Sequence, residues 1–217
     1  KNGKRVLITA GRTEELIDPV RDISNRSSGK TATAIASVFY EAGFDVTMVC
    51  GPMDVAAPGF SKVVNVRSAI EMHEAVLSRA KDYDVLVHCA AVADYRPEEV
   101  ANEKIKDSRS QLHLDLIPNP NILRDSVAQK RKGQVVVGFA LETEKPELHA
   151  KEKLEKSGAD LLVLNMPVAK ESGFGKDNVA FSLVEKGGAV PELQMASKRD
   201  LALGILRFTL LELEKTK

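Results

Sequence analysis

The residues suited to chemistry lie just beyond runs of aliphatic residues. The first run, Arg5 to Gly11 (RVLITAG), leads through a loop containing Asp18-Pro19 to Ser27-Ser28-Gly29-Lys30, where apolar residues begin to recur at helical spacing. A strand, a loop and a helix start in that order put free backbone N–H groups and a positive dipole end at one edge of a sheet. That arrangement holds phosphate, and Ser27 and Ser28 equally suit plain capping of the helix. Asn25, just ahead, carries an amide able to donate to an acyl or phosphate oxygen, or serves as a turn residue tolerant of left-handed backbone.

A second candidate segment follows the run Asp84 to Cys89. In Ala90-Ala91-Val92-Ala93-Asp94-Tyr95 the small side chains let a flat ligand approach the backbone, and Asp94 offers a carboxylate to ribose hydroxyls or a metal. The same small residues also fit close helix–sheet packing. Lys104, within Asn102-Glu103-Lys104-Ile105-Lys106, reads on composition as part of a solvated charge run.

These segments need a scaffold, and the rest of the chain supplies its pattern. Ala32, Ile35, Ala36 and Phe39 predict a helix from about Gly29 to Ala42, ended by Gly43. Strands are expected at Asp45 to Cys50, Lys62 to Val66 and Asp84 to Cys89, with a helix at Ser68 to Ala80. After a charged loop from Tyr95 to Ser110 come a possible strand at Leu112 to Leu116, a helix at Pro120 to Lys130 and a strand at Gln134 to Leu141. A helix at Pro146 to Lys156, a strand at Asp160 to Leu164 and a hairpin of Ala180 to Glu185 with Val190 to Met195 around Lys186-Gly187-Gly188 follow. An amphipathic helix from about Ser197 to Glu214 closes the chain. This alternation predicts an α/β fold: a doubly wound, mainly parallel, Rossmann-like sheet with helices on both faces and a C-terminal β-hairpin. One domain is expected over residues 1–217.

Composition narrows the function classes. Lys plus Arg equals Asp plus Glu at 31 each, so no global field favours nucleic acid or an anionic membrane. Any anionic ligand needs a local site. Cys50 and Cys89 sit in separate apolar runs without a C-x-x-C pattern or clustered His, which predicts reduced thiols and a cytoplasmic protein. No apolar stretch reads as a membrane span or signal peptide.

Taken together, ITAG, DPVRDISNRSSGK, HCAAVADYRP, NEKIK, PNPNIL and VGFALET resemble the phosphopantothenate-cysteine ligase family in order and spacing, from about Arg5 to the C-terminal helix. The resemblance implies a two-step reaction with CTP as co-substrate and Mg²⁺ to neutralise the triphosphate. The carboxylate of 4'-phosphopantothenate attacks the α-phosphate, releasing pyrophosphate, and the amine of L-cysteine then displaces CMP from the acyl-cytidylate. By the same resemblance Lys104 holds the α-phosphate region, Asn25 orients the acyl group and Arg21 supports their loop. Ser27, Ser28 and Gly29 are the phosphate-binding candidates. Cys89, Ala90, Asp94, Pro120, Asn121, Ile122, Leu123 and Phe139 surround the cytidine, and Lys153 reaches the nucleotide. The segment from about Glu98 to Ser110 would close over the triphosphate only once CTP arrives, and is expected to be poorly ordered or highly mobile without it.

Three positions depart from the family pattern: Arg12 stands where Pro is usual, His88 where some relatives have Gly, and Ser157 where a second Lys is common. The resemblance further implies a homodimer and, with a start at Lys1, fusion to an N-terminal flavin-dependent decarboxylase. Metal ligands are not assigned. An NAD(P)-dependent oxidoreductase on a similar sheet is the second reading. It would place an acid after the second strand, where Cys50-Gly51-Pro52 stands. It would also place a Lys four residues after a Tyr, yet Tyr40, Tyr83 and Tyr95 are followed there by Phe44, Val87 and Glu99. A non-catalytic nucleotide-binding module is the third.

Overall fold

Uninterrupted β-branched and aliphatic runs favour strands covered on both faces, and β1 (Arg5–Ala10) illustrates the rule: five of its six residues are buried. The computed structural model describes residues 3–106, 111–141, 146–166 and 177–215. After β1 come β2 (Glu14–Leu16), β3 (Asp22–Ser24), α1 (Lys30–Glu41), β4 (Asp45–Cys50), β5 (Lys62–Asn65) and α2 (Ala69–Leu77). The chain continues through β6 (Val85–His88), β7 (Tyr95–Pro97), β8 (Leu116–Pro118), α3 (Ile122–Ala128) and β9 (Val135–Leu141). It ends with α4 (Pro146–Ser157), β10 (Leu161–Met166), β11 (Asn178–Glu185), β12 (Gln194–Ser197) and α5 (Lys198–Glu214).

The main sheet has eight strands in the order β12-β11-β10-β9-β6-β1-β4-β5. Pairings from β10 through to β5 are parallel, while β11 and β12 add an antiparallel edge. The strand order reverses between β1 and β6, which makes their carboxyl ends the topological switch point where such sheets hold ligands. One face packs on α1 and α5 through Ile8, Ile35, Phe39, Val163, Phe181 and Ile205. The other packs on α2, α3 and α4 through Leu7, Met72, Leu86, Ile122, Leu154 and Leu162. The doubly wound sheet with its C-terminal hairpin is therefore as expected.

Several boundaries differ for physical reasons. The loop after β1 folds into the β2–β3 hairpin, reversed by Asp18, whose Oδ1 accepts the N–H groups of Val20 and Arg21 at 2.9 Å each. Residues 112–115 lie outside any strand. The pairing instead joins Leu116–Pro118 to Tyr95–Pro97. The last hairpin strand is Gln194–Ser197, because the Pro191 carbonyl accepts from Ser182 Oγ at 2.8 Å and holds the intervening chain as loop. Capping boxes at Ser68 with Glu71 and at Ser197 with Asp200 start α2 and α5. By contrast α1 is not side-chain capped: its N-cap is Gly29 at φ 81°, and Ser28 Oγ lies 3.5 Å from the Lys30 amide. A Cβ at Gly29 would come within 2.6 Å of Met53 Sδ, so only glycine fits that turn.

Candidate functional site

At the switch point the chain leaving β6 is laid along the chain leaving β1. Thr9 Oγ1 accepts the Ala90 amide at 3.1 Å, Gly11 O accepts the Ala91 amide at 2.9 Å, and Thr13 Oγ1 accepts the Ala93 amide at 3.0 Å. Asn25 braces the same loop from outside, donating from Nδ2 to Ala91 O at 3.3 Å and Val92 O at 3.1 Å. On the far side Asn119 donates from Nδ2 to Ala93 O at 2.9 Å and from its backbone to Asp94 O at 2.8 Å. Its Oδ1 accepts from Arg96. Asn121 then caps α3 by accepting the Arg124 amide at 2.9 Å.

These connections wall a cavity of about 600 Å³. Thr9 and His88 line it from the sheet; Ala90, Val92, Ala93 and Asp94 come from the loop after β6. Asn119, Pro120, Asn121, Ile122, Leu123 and Arg124 form the opposite wall, and Phe139, Glu152, Lys153, Lys156 and Ser157 complete it. Asp94 is exposed, and α4 brings Lys153 and Lys156 to the mouth, with Lys156 3.2 Å from Glu152. Gly138 on β9 leaves room for Leu123, since a Cβ there would stand 2.6 Å from Leu123 Cδ2 and the leucine would have to move.

Of the residues singled out in the sequence, Ala90, Asp94, Pro120, Asn121, Ile122, Leu123, Phe139 and Lys153 all line this cavity. Cys89 does not. Strand alternation sends it to the α1 and α5 face, where it packs with that core, and burial pushes its thiol up to about 12 against the opposing pull of Lys198. Ser27, Ser28 and Gly29 lie at the start of α1, apart from the cavity lining. There the Ser27 carbonyl accepts from Arg12 Nη1 at 2.9 Å, and the same nitrogen meets Asp54 at 2.9 Å. Arg12 thus ties three loops together.

His88 replaces an absent side chain with a polar floor. Its Nε2 lies 2.9 Å from Ser126 Oγ, whose own proton goes to Leu123 O at 2.9 Å, so Nε2 is the donor and Nδ1 carries the lone pair. Nδ1 is shut off from solvent without a hydrogen-bond partner among the described residues. Desolvation holds the ring neutral, lowering its pKa to about 4. Ser157, the third departure, lines the cavity, and so does its neighbour Lys156.

Arg21 and Lys104 belong to a second group beside the β2–β3 hairpin. The Arg21 guanidinium grips Asp18 through Nε at 3.0 Å and Nη2 at 2.5 Å, and Nη2 also donates to Ile105 O at 2.9 Å. Lys104 is exposed and outside the cavity lining. Its segment is fastened on both sides, by Ala101 N to Ile17 O at 3.0 Å and Ile105 N to Asp18 Oδ2 at 3.1 Å. Residues 107–110, the rest of the expected closing segment, and Glu142-Thr143 of VGFALET lie outside the described residues.

Asn119, Thr9 and Arg124 were not anticipated from sequence. Asn119 stands directly before Pro120 in the quoted PNPNIL segment, and its use as a strut depends on a partner 26 residues away. Among the described residues no group of three or more His, Cys, Asp or Glu side chains is placed to hold a metal, and no helix is long and apolar enough to cross a membrane.

A doubly wound α/β sheet with a polar cavity at its switch point defines a small-ligand-binding protein of the Rossmann-like class. The chain belongs to the DNA/pantothenate metabolism flavoprotein C-terminal domain family, whose model matches residues 1–211. It is 40% identical over 206 residues to the coenzyme A biosynthesis bifunctional protein CoaBC of Vibrio cholerae, covering 94% of this chain and 51% of that protein. It is 41% identical over 214 residues to the same-named protein of Haemophilus influenzae, covering 99% and 53%. The chain thus spans about half the length of these curated relatives. The crystal structure of the C-terminal domain of a CoaBC protein superposes with a TM-score of 0.83 at 38% identity, covering 99% of this chain and all of that one.

Proposed function

We propose that this chain joins 4'-phosphopantothenate to L-cysteine through an acyl-cytidylate, consuming CTP and releasing pyrophosphate and CMP. The observation that carries the reading is the convergence of Ala90 and Asp94 from the loop after β6, Asn119 to Leu123, Phe139 and Lys153, far apart in the chain, on one cavity at the switch point. It is supported by 40% identity to a protein named for coenzyme A biosynthesis.

In this reading the nucleotide occupies the cavity, with Asp94 accepting from ribose hydroxyls and Lys153 and Lys156 facing the phosphates. The NPNI turn presents backbone groups to the base. Lys104, held beside the hairpin, neutralises charge that builds on the α-phosphate as the substrate carboxylate attacks. The acid's own phosphate is assigned to Ser27, Ser28 and Gly29 at the start of α1, where the positive end of the helix dipole favours an anion. Asn25 spends both amide protons on Ala91 and Val92, which leaves Oδ1 as the group it offers. That atom accepts; it suits the N–H of the incoming cysteine amine and revises the expectation that the amide donates to an acyl oxygen.

Among the described residues Asp94 and Glu152 are the carboxylates at the cavity, which fits a Mg²⁺ carried in by the triphosphate with few protein ligands. Such an ion would supply charge neutralisation at the triphosphate. The exposed apolar side chains Tyr95, Leu112 and Leu116 on and beside the β7–β8 pair offer a surface for a second copy, in keeping with a homodimer. Fusion to an N-terminal decarboxylase domain in the native protein is consistent with the half-length matches. The unpaired thiols of Cys50 and Cys89 suit a cytoplasmic location.

Thermal shift with CTP, ATP and NADPH tests the reading, since a ligand at a hundred times its dissociation constant adds about 2.7 kcal/mol. Stabilisation by CTP is expected. Stabilisation by NADPH alone would replace the ligase with an oxidoreductase.

A further inference from the structure

One carboxylate outside the cavity carries more hydrogen bonds than any turn requires. Asp18 is completely buried, yet it sits in an exposed hairpin between Ile17 and Pro19. Its Oδ1 accepts the amides of Val20 and Arg21 at 2.9 Å each, which is the ordinary work of a turn aspartate. Its Oδ2 does something else. It accepts Arg21 Nε and Nη2 and also the amide of Ile105, 87 residues away. Arg21 Nη2 completes a ring by donating to Ile105 O at 2.9 Å. Both backbone polar groups of Ile105 are therefore held by the Asp18–Arg21 pair, and the residue held adjoins Lys104.

We propose that Asp18 is a positioning residue for the ligation reaction, acting through Arg21 and Ile105 to set where the Lys104 ammonium stands. The inference rests on the reading of Lys104 as the α-phosphate cation. Three features of the clasp fit that task. Two N–H groups and a carbonyl anchor the five residues 101–105, to Ile17 O, Asp18 Oδ2 and Arg21, so the backbone of Lys104 has little freedom while its side chain stays exposed. The carboxylate stays ionised: the Arg21 hydrogen bond, with help from the three amides and against the effect of burial, holds its pKa well below the usual carboxylate range. A neutral amide cannot substitute. Oδ1 of Asn could still serve the turn, but its Nδ2 would face the donors of Arg21 and Ile105.

The test is a double-mutant cycle of Asp18→Asn and Lys104→Gln, read as kcat and KM for phosphopantothenate-dependent pyrophosphate release. Asp18→Asn is expected to lower kcat by up to the order of 10²-fold, the loss that a misplacement of about 1 Å can produce, with KM for CTP nearly unchanged. The double variant should be no slower than Lys104→Gln alone, because a cation already removed cannot be misplaced. Full additivity, or an effect of Asp18→Asn confined to KM, would overturn the proposal while leaving Lys104 catalytic. A Lys104→Gln variant with normal kcat would instead remove the reading on which it rests. A separate measurement does not depend on the variant folding: in the unsubstituted protein the Ile105 amide should exchange with solvent far more slowly than the amides of Glu103 and Lys104. Equal exchange would mean that the clasp does not hold.

Discussion

The side-chain amide of Asn25 donates to two successive carbonyls of the cavity loop, Ala91 at 3.3 Å and Val92 at 3.1 Å. An exposed residue ahead of α1 thereby fixes a wall formed 66 residues later. In Asn25→Asp one carboxylate oxygen would meet both carbonyls, and acceptor would face acceptor. Amine attack on the acyl-cytidylate is expected to slow on the order of 10²-fold, the scale of a lost or misplaced active-site group. Rapid-quench analysis should show the intermediate forming and then persisting after cysteine is added; normal turnover would exclude the role.

Asp94 is exposed at the cavity, and only its backbone carbonyl is used in holding the loop, through Asn119. Asp94→Ala should weaken CTP binding by roughly 1.5 to 3 kcal/mol, the worth of a charged hydrogen bond, and leave the fold intact. Calorimetric titration and far-UV circular dichroism on the same sample decide this. Unchanged affinity, or loss of the fold, contradicts the placement.

The partly buried ring of His88, with Nδ1 shut off from solvent, makes stability depend on pH in a predictable direction. Its folded pKa is lowered from 6.5 to about 4, so between these values the unfolded chain binds a proton that the native ring refuses. Its contribution is complete above about pH 6.5 and declines as the pH falls toward 4, by roughly 2 to 3 kcal/mol in all. Carboxylates join only below about pH 5. Urea midpoints for the parent and His88→Gln at pH 7.0 and 5.2 should show the larger drop in the parent. Parallel behaviour would mean that the ring is solvated.

What the sequence disclosed and what it concealed follow from interaction range. Val6, Ile8, Val46, Met48, Val85 and Val87 form continuous apolar runs, so the parallel sheet and its ligand-holding edge are legible in the amino-acid sequence itself. The strands β2, β3, β7 and β8 have three residues each, too few to carry a period. They are held by side chains reaching backbone groups far away, Asn119 to Ala93 and Asp18 to Ile105. The site residues were named through resemblance. The donor and acceptor roles of Asn25, the tautomer of His88 and the turn of Cys89 away from the cavity into the α1 and α5 core depend on neighbours that only the folded chain supplies.

Lys104 is exposed and its backbone is pinned by its neighbours, so removing its charge should leave the resting protein alone. Lys104→Gln is expected to change stability by less than about 0.5 kcal/mol. Turnover should fall on the order of 10² to 10³-fold, as when one preorganised donor to a transition state is lost. Pyrophosphate release and the melting temperature of the unliganded variant are the two readings; unchanged turnover would return Lys104 to the solvated surface.

In the proposed reaction, activation of the acid precedes and is separable from amide formation. Enzyme mixed with CTP and 4'-phosphopantothenate, without cysteine, should release one pyrophosphate per site in a single burst. It should also retain a mass equal to the acid plus CMP less one water, that of the acyl-cytidylate. Cysteine added afterwards should discharge that mass as CMP and 4'-phosphopantothenoylcysteine. Pyrophosphate that appears only once cysteine is present, or release of orthophosphate and CDP in its place, would contradict the account.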